Sequence, residues 1–232
     1  MILKNKVFVV FGLRGTGKST FINHIANSVG VSAFIYDTLS ESPPNPKYSV
    51  YRPKDRYNVG ELETVIKMII PSTTKAPFAS LFIIEEANRF CPSKPHVLPP
   101  IVADLNDQCR HYNMGLGFVA RRPVQLHQDI TELADYIVIF RLSGIRDIKY
   151  LNDISMGLGD TLKTLKGHDF IIVDPDRSYH VYNAIPANAR WLETANRLYQ
   201  PLHPERRAHR PTDGVRRGGQ SIPAGASKAL DK

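Results

Sequence analysis

Only two cysteines, Cys91 and Cys109, occur in 232 residues, too few for a disulfide scaffold and without a CxxC or HxxxH pair to anchor a metal. His96 and His111 lie near them in sequence and invite a zinc reading, but the spacing favours two ordinary thiols in a reducing compartment. Long apolar runs are equally scarce. The longest candidates, Val7–Phe11, Leu81–Ile84 and Tyr136–Phe140, fall far short of the roughly 18–20 residues that cross a bilayer. Residues 1–6 leave no room for a secretory leader, so a cytoplasmic protein with no membrane span is expected. Acidic residues are in deficit as well, 22 against 30 Lys and Arg, and the net charge of +8 suggests a polyanionic partner or substrate.

What the chain does have is enough apolar content, 42% of its residues, for one substantial core. Residues 6–11 form a continuous apolar run stopped by Gly12, the pattern of a central strand buried on both faces. A glycine-rich turn follows, and then Phe21, Ile22, Ile25 and Val29 recur at helical spacing up to Gly30. Residues 32–36 read as a second strand ending in the polar Asp37 and Thr38, residues 48–52 as a short edge strand, and 59–70 as a helix stopped by Pro71. Buried strands are expected at 81–84, 116–120 and 136–141, a proline-rich surface loop at 89–100, and helices at 101–112, near 129–133, at 144–154 and at 158–165. Residues 168–173 and 179–182 flank Asp174-Pro175-Asp176-Arg177 and read as a terminal hairpin. Alternating strands and helices indicate an α/β fold, a mainly parallel sheet flanked by helices with ligands beyond the carboxyl ends of its strands. From about Pro201 hydrophobic content collapses while Arg206, Arg207, Arg210, Arg216, Arg217 and Lys228 alternate with Gly and Pro. The expected organisation is therefore one domain over residues 1–200 and a basic, disordered tail over 201–232, which either contacts nucleic acid or is simply solvated.

Gly12-Leu13-Arg14-Gly15-Thr16-Gly17-Lys18-Ser19 matches the phosphate-loop pattern in full and sits in the required strand, turn and helix context. Its glycines let backbone N–H groups face phosphates at a helix N-terminus, Lys18 reaches the β- and γ-phosphates, and the Ser19 hydroxyl ligates Mg²⁺. These residues, with Thr20 beside them, are the candidate binding residues for ATP and Mg²⁺. The second signal is Leu81-Phe82-Ile83-Ile84-Glu85-Glu86, an apolar strand ending in paired carboxylates that a parallel sheet would carry beside the phosphate loop. Glu85 is the candidate for the Mg²⁺ shell and Glu86 for orienting and polarising the attacking water. The alternative is two acids that open a helix and favour its dipole.

Ile84-Glu85-Glu86-Ala87-Asn88-Arg89-Phe90-Cys91-Pro92 resembles the Glu-Glu-Ala-His-x-Phe-x-Pro stretch of HerA-type ATPases in the FtsK/HerA superfamily, with Asn88 where His is usual. The stretch from Cys109 and Arg110 through Gly115 and Gly117 to Arg121-Arg122-Pro123 is similar to that superfamily's Arg-rich approach, next strand and Thr-Gln-Arg-Pro sensor. Ala134-Asp135, Phe140-Arg141-Leu142 and Arg146-Asp147 follow in the expected order, so that the resemblance covers roughly residues 6–183. It implies a RecA/FtsK-HerA-like P-loop NTPase fold and makes Arg110 the first candidate for an arginine finger supplied to a neighbouring subunit, with Arg141 and Arg146 as alternatives. The sensor Gln position holds Arg121, which cannot accept a hydrogen bond from water but can contact γ-phosphate directly.

The same resemblance implies a ring, commonly hexameric, that moves a polymer through its channel, with loops 89–100 and 121–130 as candidates to face that channel. A bare ATPase core with a basic tail is similar to the small genome-packaging ATPases of membrane-containing double-stranded DNA viruses. The leading expectation is thus an ATP-driven double-stranded DNA translocase acting with a virion vertex or portal protein. A protein-directed virion-assembly or secretion ATPase and a nucleotide-gated regulatory switch are the alternatives, with a small-molecule kinase disfavoured by Glu86.

Overall fold

The computed structural model describes residues 3–40, 42, 45–70 and 79–186. The expected boundary at 200 and the basic tail beyond it lie outside these residues. Strands β1 (Val7–Phe11), β2 (Ala33–Tyr36), β3 (Ser49–Tyr51), β4 (Leu81–Ile84), β5 (Gly115–Ala120) and β6 (Tyr136–Phe140) all run parallel, while β7 (Phe170–Val173) and β8 (Tyr179–Tyr182) add antiparallel. They form one eight-stranded sheet in the order β3-β2-β4-β5-β1-β6-β7-β8. The helices are α1 (Lys18–Val29), α2 (Val59–Ile69), α3 (Pro100–Gln108), α4 (Gln128–Leu133), α5 (Ile145–Ile154) and α6 (Leu158–Leu162). The expected helices at 101–112 and 158–165 are shorter than their apolar periodicity suggested, because single hydrogen-bonded turns take over at Cys109 to Asn113 and at Lys163 to Leu165.

The continuous apolar runs are what a sheet covered on both faces requires. Along β1, Val7, Val9 and Phe11 face one core with α2 to α6, while Phe8 and Val10 face the other, where α1 contributes Phe21, Ile22, Ile25 and Ala26. Two close approaches explain the glycines of β5. A Cβ on Gly117 would run into the Phe8 ring of the neighbouring β1, and one on Gly115 into the carbonyl of Leu3, in the segment that precedes β1.

The strand order sets how the carboxylates reach the phosphate loop. The carboxylate-bearing β4 is not next to β1, because β5 lies between them. The phosphate loop and Glu85 are thus two strand spacings apart, roughly 10 Å, and the end of β5 stands in the gap.

His24 on α1 is 8% exposed, and burial pushes its imidazole down from the usual 6.5 to about 4. Between those values the unfolded chain binds more protons than the folded one, so stability is full above pH 6.5 and falls as pH drops toward 4. His24→Leu is expected to remove on the order of 2 kcal/mol of that acid-side loss. Thermal midpoints at several pH values between 4.5 and 7 check it; parallel slopes for variant and wild type would assign the loss elsewhere.

Candidate functional site

Helix α1 begins straight out of the glycine turn. Its N-cap, Gly17, lies at φ 109° and offers no side-chain cap, and no acidic residue occupies the first turn. The leading N–H groups and the positive end of the helix dipole therefore face an open cleft, the arrangement that takes an anion. Gly12 is required by close approach. A Cβ there would stand 2.6 Å from Phe140 Cβ and 2.7 Å from Thr16 Oγ1. The loop is then closed on itself and on its neighbour strand. The Thr16 hydroxyl donates to the Leu13 carbonyl at 2.8 Å, and Leu13 N–H donates to the Arg141 carbonyl at 3.2 Å. Lys18 Nζ donates to the carbonyls of Gly12 at 2.6 Å and Leu13 at 3.0 Å, which holds the ammonium against the loop.

The carboxylates arrive from β4. Glu85 is nearly buried, its N–H donating to the Tyr36 carbonyl at 3.0 Å and its carbonyl accepting the Thr38 hydroxyl at 3.0 Å. Asp37, fully buried beside Thr38, accepts Leu39 N–H and Ser42 N–H at 3.2 and 2.9 Å and so shapes the end of β2 that supports Glu85. Glu86 sits in the left-handed region at φ 48° and ψ 42°, where a residue with a side chain is strained by on the order of 1 kcal/mol. A turn closed by Arg89 N–H on the Glu86 carbonyl, and by Phe90 and Cys91 N–H on the Ala87 carbonyl, keeps it there.

Arg121, at the end of β5, donates from Nε to Glu86 Oε1 at 3.0 Å. The arginine at the sensor position thus meets the carboxylate across the strand gap. Arg122 points elsewhere and pairs at 2.8 Å with Asp147, which is buried in the first turn of α5.

One cleft of about 820 Å³ gathers Arg14, Gly15, Gly17, Lys18, Ser19, Thr20, Glu85, Glu86 and Arg121, together with Leu39, Val119, Phe140, His168 and Ile185. It is of the size that holds a small-molecule ligand. Ser19 and Glu85 put hard oxygen donors on this single cleft, the donor set that suits Mg²⁺ shared with phosphate oxygens. Gly12, Leu13 and Thr16 form the turn beneath.

Arg110 is not brought to this cleft. It lines a separate recess of about 300 Å³ with Asn5, Lys6 and Asp135 at the amino end of β1. Arg141 is exposed at the end of β6, at the same rim as the phosphate loop, and Arg146 is exposed in the first turn of α5. The proline-rich loop and the segment after β5 are joined. Ser93 N–H donates to the Gln125 carbonyl at 3.1 Å, His127 N–H to the Cys91 carbonyl at 2.9 Å, and Lys94 pairs with Asp129 at 2.9 Å. Cys91 and Cys109 are buried, and burial raises both thiols, Cys91 to about 12, which keeps them protonated and unreactive. Sequence reasoning missed Asp37, Thr38, His168 and Ile185 as parts of the site. The polar end of the second strand was a signal for the first two; the sequence carried none for the others, whose place follows from the antiparallel pairing of β7 and β8.

This is a P-loop NTPase fold, a mainly parallel sheet flanked by helices with the phosphate loop at its carboxyl edge. No family model matches the chain. Over 83 residues it is 31% identical to the probable DNA double-strand break repair helicase HerA of Methanocaldococcus jannaschii, a match spanning 35% of this chain and 16% of that protein. The genome packaging NTPase B204 of Sulfolobus turreted icosahedral virus 2, in complex with sulfate, superposes with a TM-score of 0.67 at 22% identity, over 80% of this chain and 99% of that one. Its complex with ATP-gammaS gives 0.63 at 20% identity, over 78% and 98%. B204 of Sulfolobus turreted icosahedral virus, the DNA-packaging ATPase, gives 0.64 at 20% identity, over 80% and 100%. At these identities the likeness establishes the fold. Among the described residues no helix is long and apolar enough to cross a membrane.

Proposed function

We propose that this protein hydrolyses ATP and uses the energy to move double-stranded DNA, as the packaging motor of a viral genome. The observation that carries the reading is the single cleft in which the phosphate loop, Ser19, two carboxylates of different surroundings and Arg121 converge. The loop N–H groups and Lys18 bind the phosphates and stabilise the charge that builds on the γ-phosphoryl group. Ser19 and Glu85 would hold Mg²⁺, which when bound neutralises charge on the phosphate oxygens. Glu86 orients a water in line with the γ-phosphate and takes its proton. Arg121 positions that carboxylate, and Arg110 acts on the phosphate of a neighbouring copy in a ring, commonly a hexamer.

The viral assignment is supported by the fit over 98% and 100% of the two B204 proteins, a genome packaging NTPase and a DNA-packaging ATPase. On this reading residues 1–200 are the ATPase unit, working in the cytoplasm of a host cell or at a virion vertex or portal protein, and 201–232 are a basic tail. The joined loops at 89–100 and 121–130 face the DNA channel. A protein-directed assembly ATPase and a nucleotide-gated switch share the same cleft and differ in the polymer that stimulates it.

Steady-state ATP hydrolysis with and without double-stranded DNA, at one fixed salt concentration, tests the motor. Fixed salt matters because a chain of charge +8 binds DNA non-specifically with strong salt dependence. DNA is expected to raise turnover several-fold. Turnover indifferent to DNA would move the reading to a protein substrate or to a switch.

A further inference from the structure

The cleft extends well past the phosphate loop on the side away from Glu86. Because β7 runs against β6 and β8 runs back beside it, the residue before β7 and those after β8 emerge at the rim where the parallel strands end. His168 and Ile185 stand at these two points and both line the cleft. The tight turn that carries His168 is closed by Asp169 N–H on the Lys166 carbonyl at 2.9 Å, and Asp169 Oδ1 accepts Ala184 N–H at 3.2 Å, which ties the two segments together. His168 Cβ lies 3.5 Å from where a Cβ on Gly17 would be, so it adjoins the start of α1. Beneath them, Phe140, Phe170 and Tyr182 stack with centroids 5.2 and 5.5 Å apart, a rigid floor.

Along the rim the order is therefore Glu85 and Glu86, Arg121, the phosphate loop, Phe140, then His168 and Ile185. One end is charged; the other is aromatic and aliphatic. A nucleoside triphosphate is built with the same polarity, and β7 is two strand spacings from β1, roughly 10 Å, the separation that a ribose and α-phosphate bridge. We propose that His168 and Ile185 form the seat for the nucleobase, which stacks its face on the imidazole and packs against Ile185. The inference rests on the nucleotide reading above and deepens it. It assigns recognition to base stacking, which every base offers through its π-face, and it fixes the direction of the ligand, with the γ-phosphate toward Glu86.

Calorimetric titration of wild type, His168→Ala, His168→Phe and Ile185→Ser with ATP·Mg²⁺ and with inorganic tripolyphosphate·Mg²⁺ separates the two parts of the ligand. His168 is exposed on a turn, so its variants leave the core intact. His168→Ala is expected to weaken ATP about tenfold and tripolyphosphate by less than about twofold, with His168→Phe restoring ATP and Ile185→Ser weakening ATP alone. Unchanged ATP affinity in both His168→Ala and Ile185→Ser, or tripolyphosphate falling in step with ATP, would overturn the seat. A wild-type protein that binds tripolyphosphate but shows no gain for ATP would overturn it while sparing the phosphate loop. One that binds neither would remove the nucleotide reading and the seat together.

Discussion

Glu86→Gln is expected to cut the turnover number for ATP by about 10²- to 10⁴-fold, the usual contribution of a positioned general base, while ATP affinity stays within about twofold. The substitution keeps the shape of the side chain and a carbonyl oxygen that Arg121 Nε can still reach from its present 3.0 Å, so the turn after β4 has reason to survive. What is lost is the charge and the ability to take a proton from water. Glu85 cannot substitute readily, because its backbone is pinned on both sides, by Tyr36 and Thr38, while Glu86 alone is turned into the left-handed conformation that aims the next stretch of chain away from the strand. Single-turnover hydrolysis measured beside equilibrium ATP binding checks this. Turnover within about threefold of wild type would pass the base to the other carboxylate.

That pairing marks the boundary of what the amino-acid order discloses. The phosphate loop is legible because its chemistry and its shape are encoded in the same eight positions, from Gly12 to Ser19, and the apolar runs around it report a doubly covered sheet. The Arg121 contact is not legible in this way. It lies 35 residues from Glu86 and exists because β4 and β5 align in parallel with Ile84 opposite Phe118, which brings the two strand ends level. Charge alone says that Arg121 can contact γ-phosphate; register adds the carboxylate that its Nε meets. In the same way, a turn between two apolar runs announced the hairpin, but not that His168 and Ile185 would return to the ligand rim. Strand order is a non-local property, and the insertion of β5 between β1 and β4 follows from packing across the whole sheet, not from any motif within it.

The separation of Arg110 from its own cleft yields the other large effect. An arginine finger, the role proposed for Arg110, is worth about 10³- to 10⁵-fold in turnover, yet Arg110 lies in a recess at the amino end of β1, whereas the phosphate loop is at the carboxyl end. Within one chain it has no access to the γ-phosphate. Arg110→Ala is therefore expected to abolish turnover only through the neighbour, leaving ATP binding by the variant itself intact. Mixing resolves the matter more sharply than either single variant. Glu86→Gln copies carry a good finger and a dead cleft; Arg110→Ala copies carry a good cleft and no finger. In a randomly mixed ring, half the clefts are intact and half of those meet an intact finger, so about one interface in four should work, and two nearly inactive preparations should regain activity when combined. Arg110→Ala protein that stays active alone would exclude Arg110 as the finger. Mixtures as silent as their components would show that it does not act across the interface, and Arg141, already at the carboxyl rim beside the phosphate loop, would be the next residue to substitute.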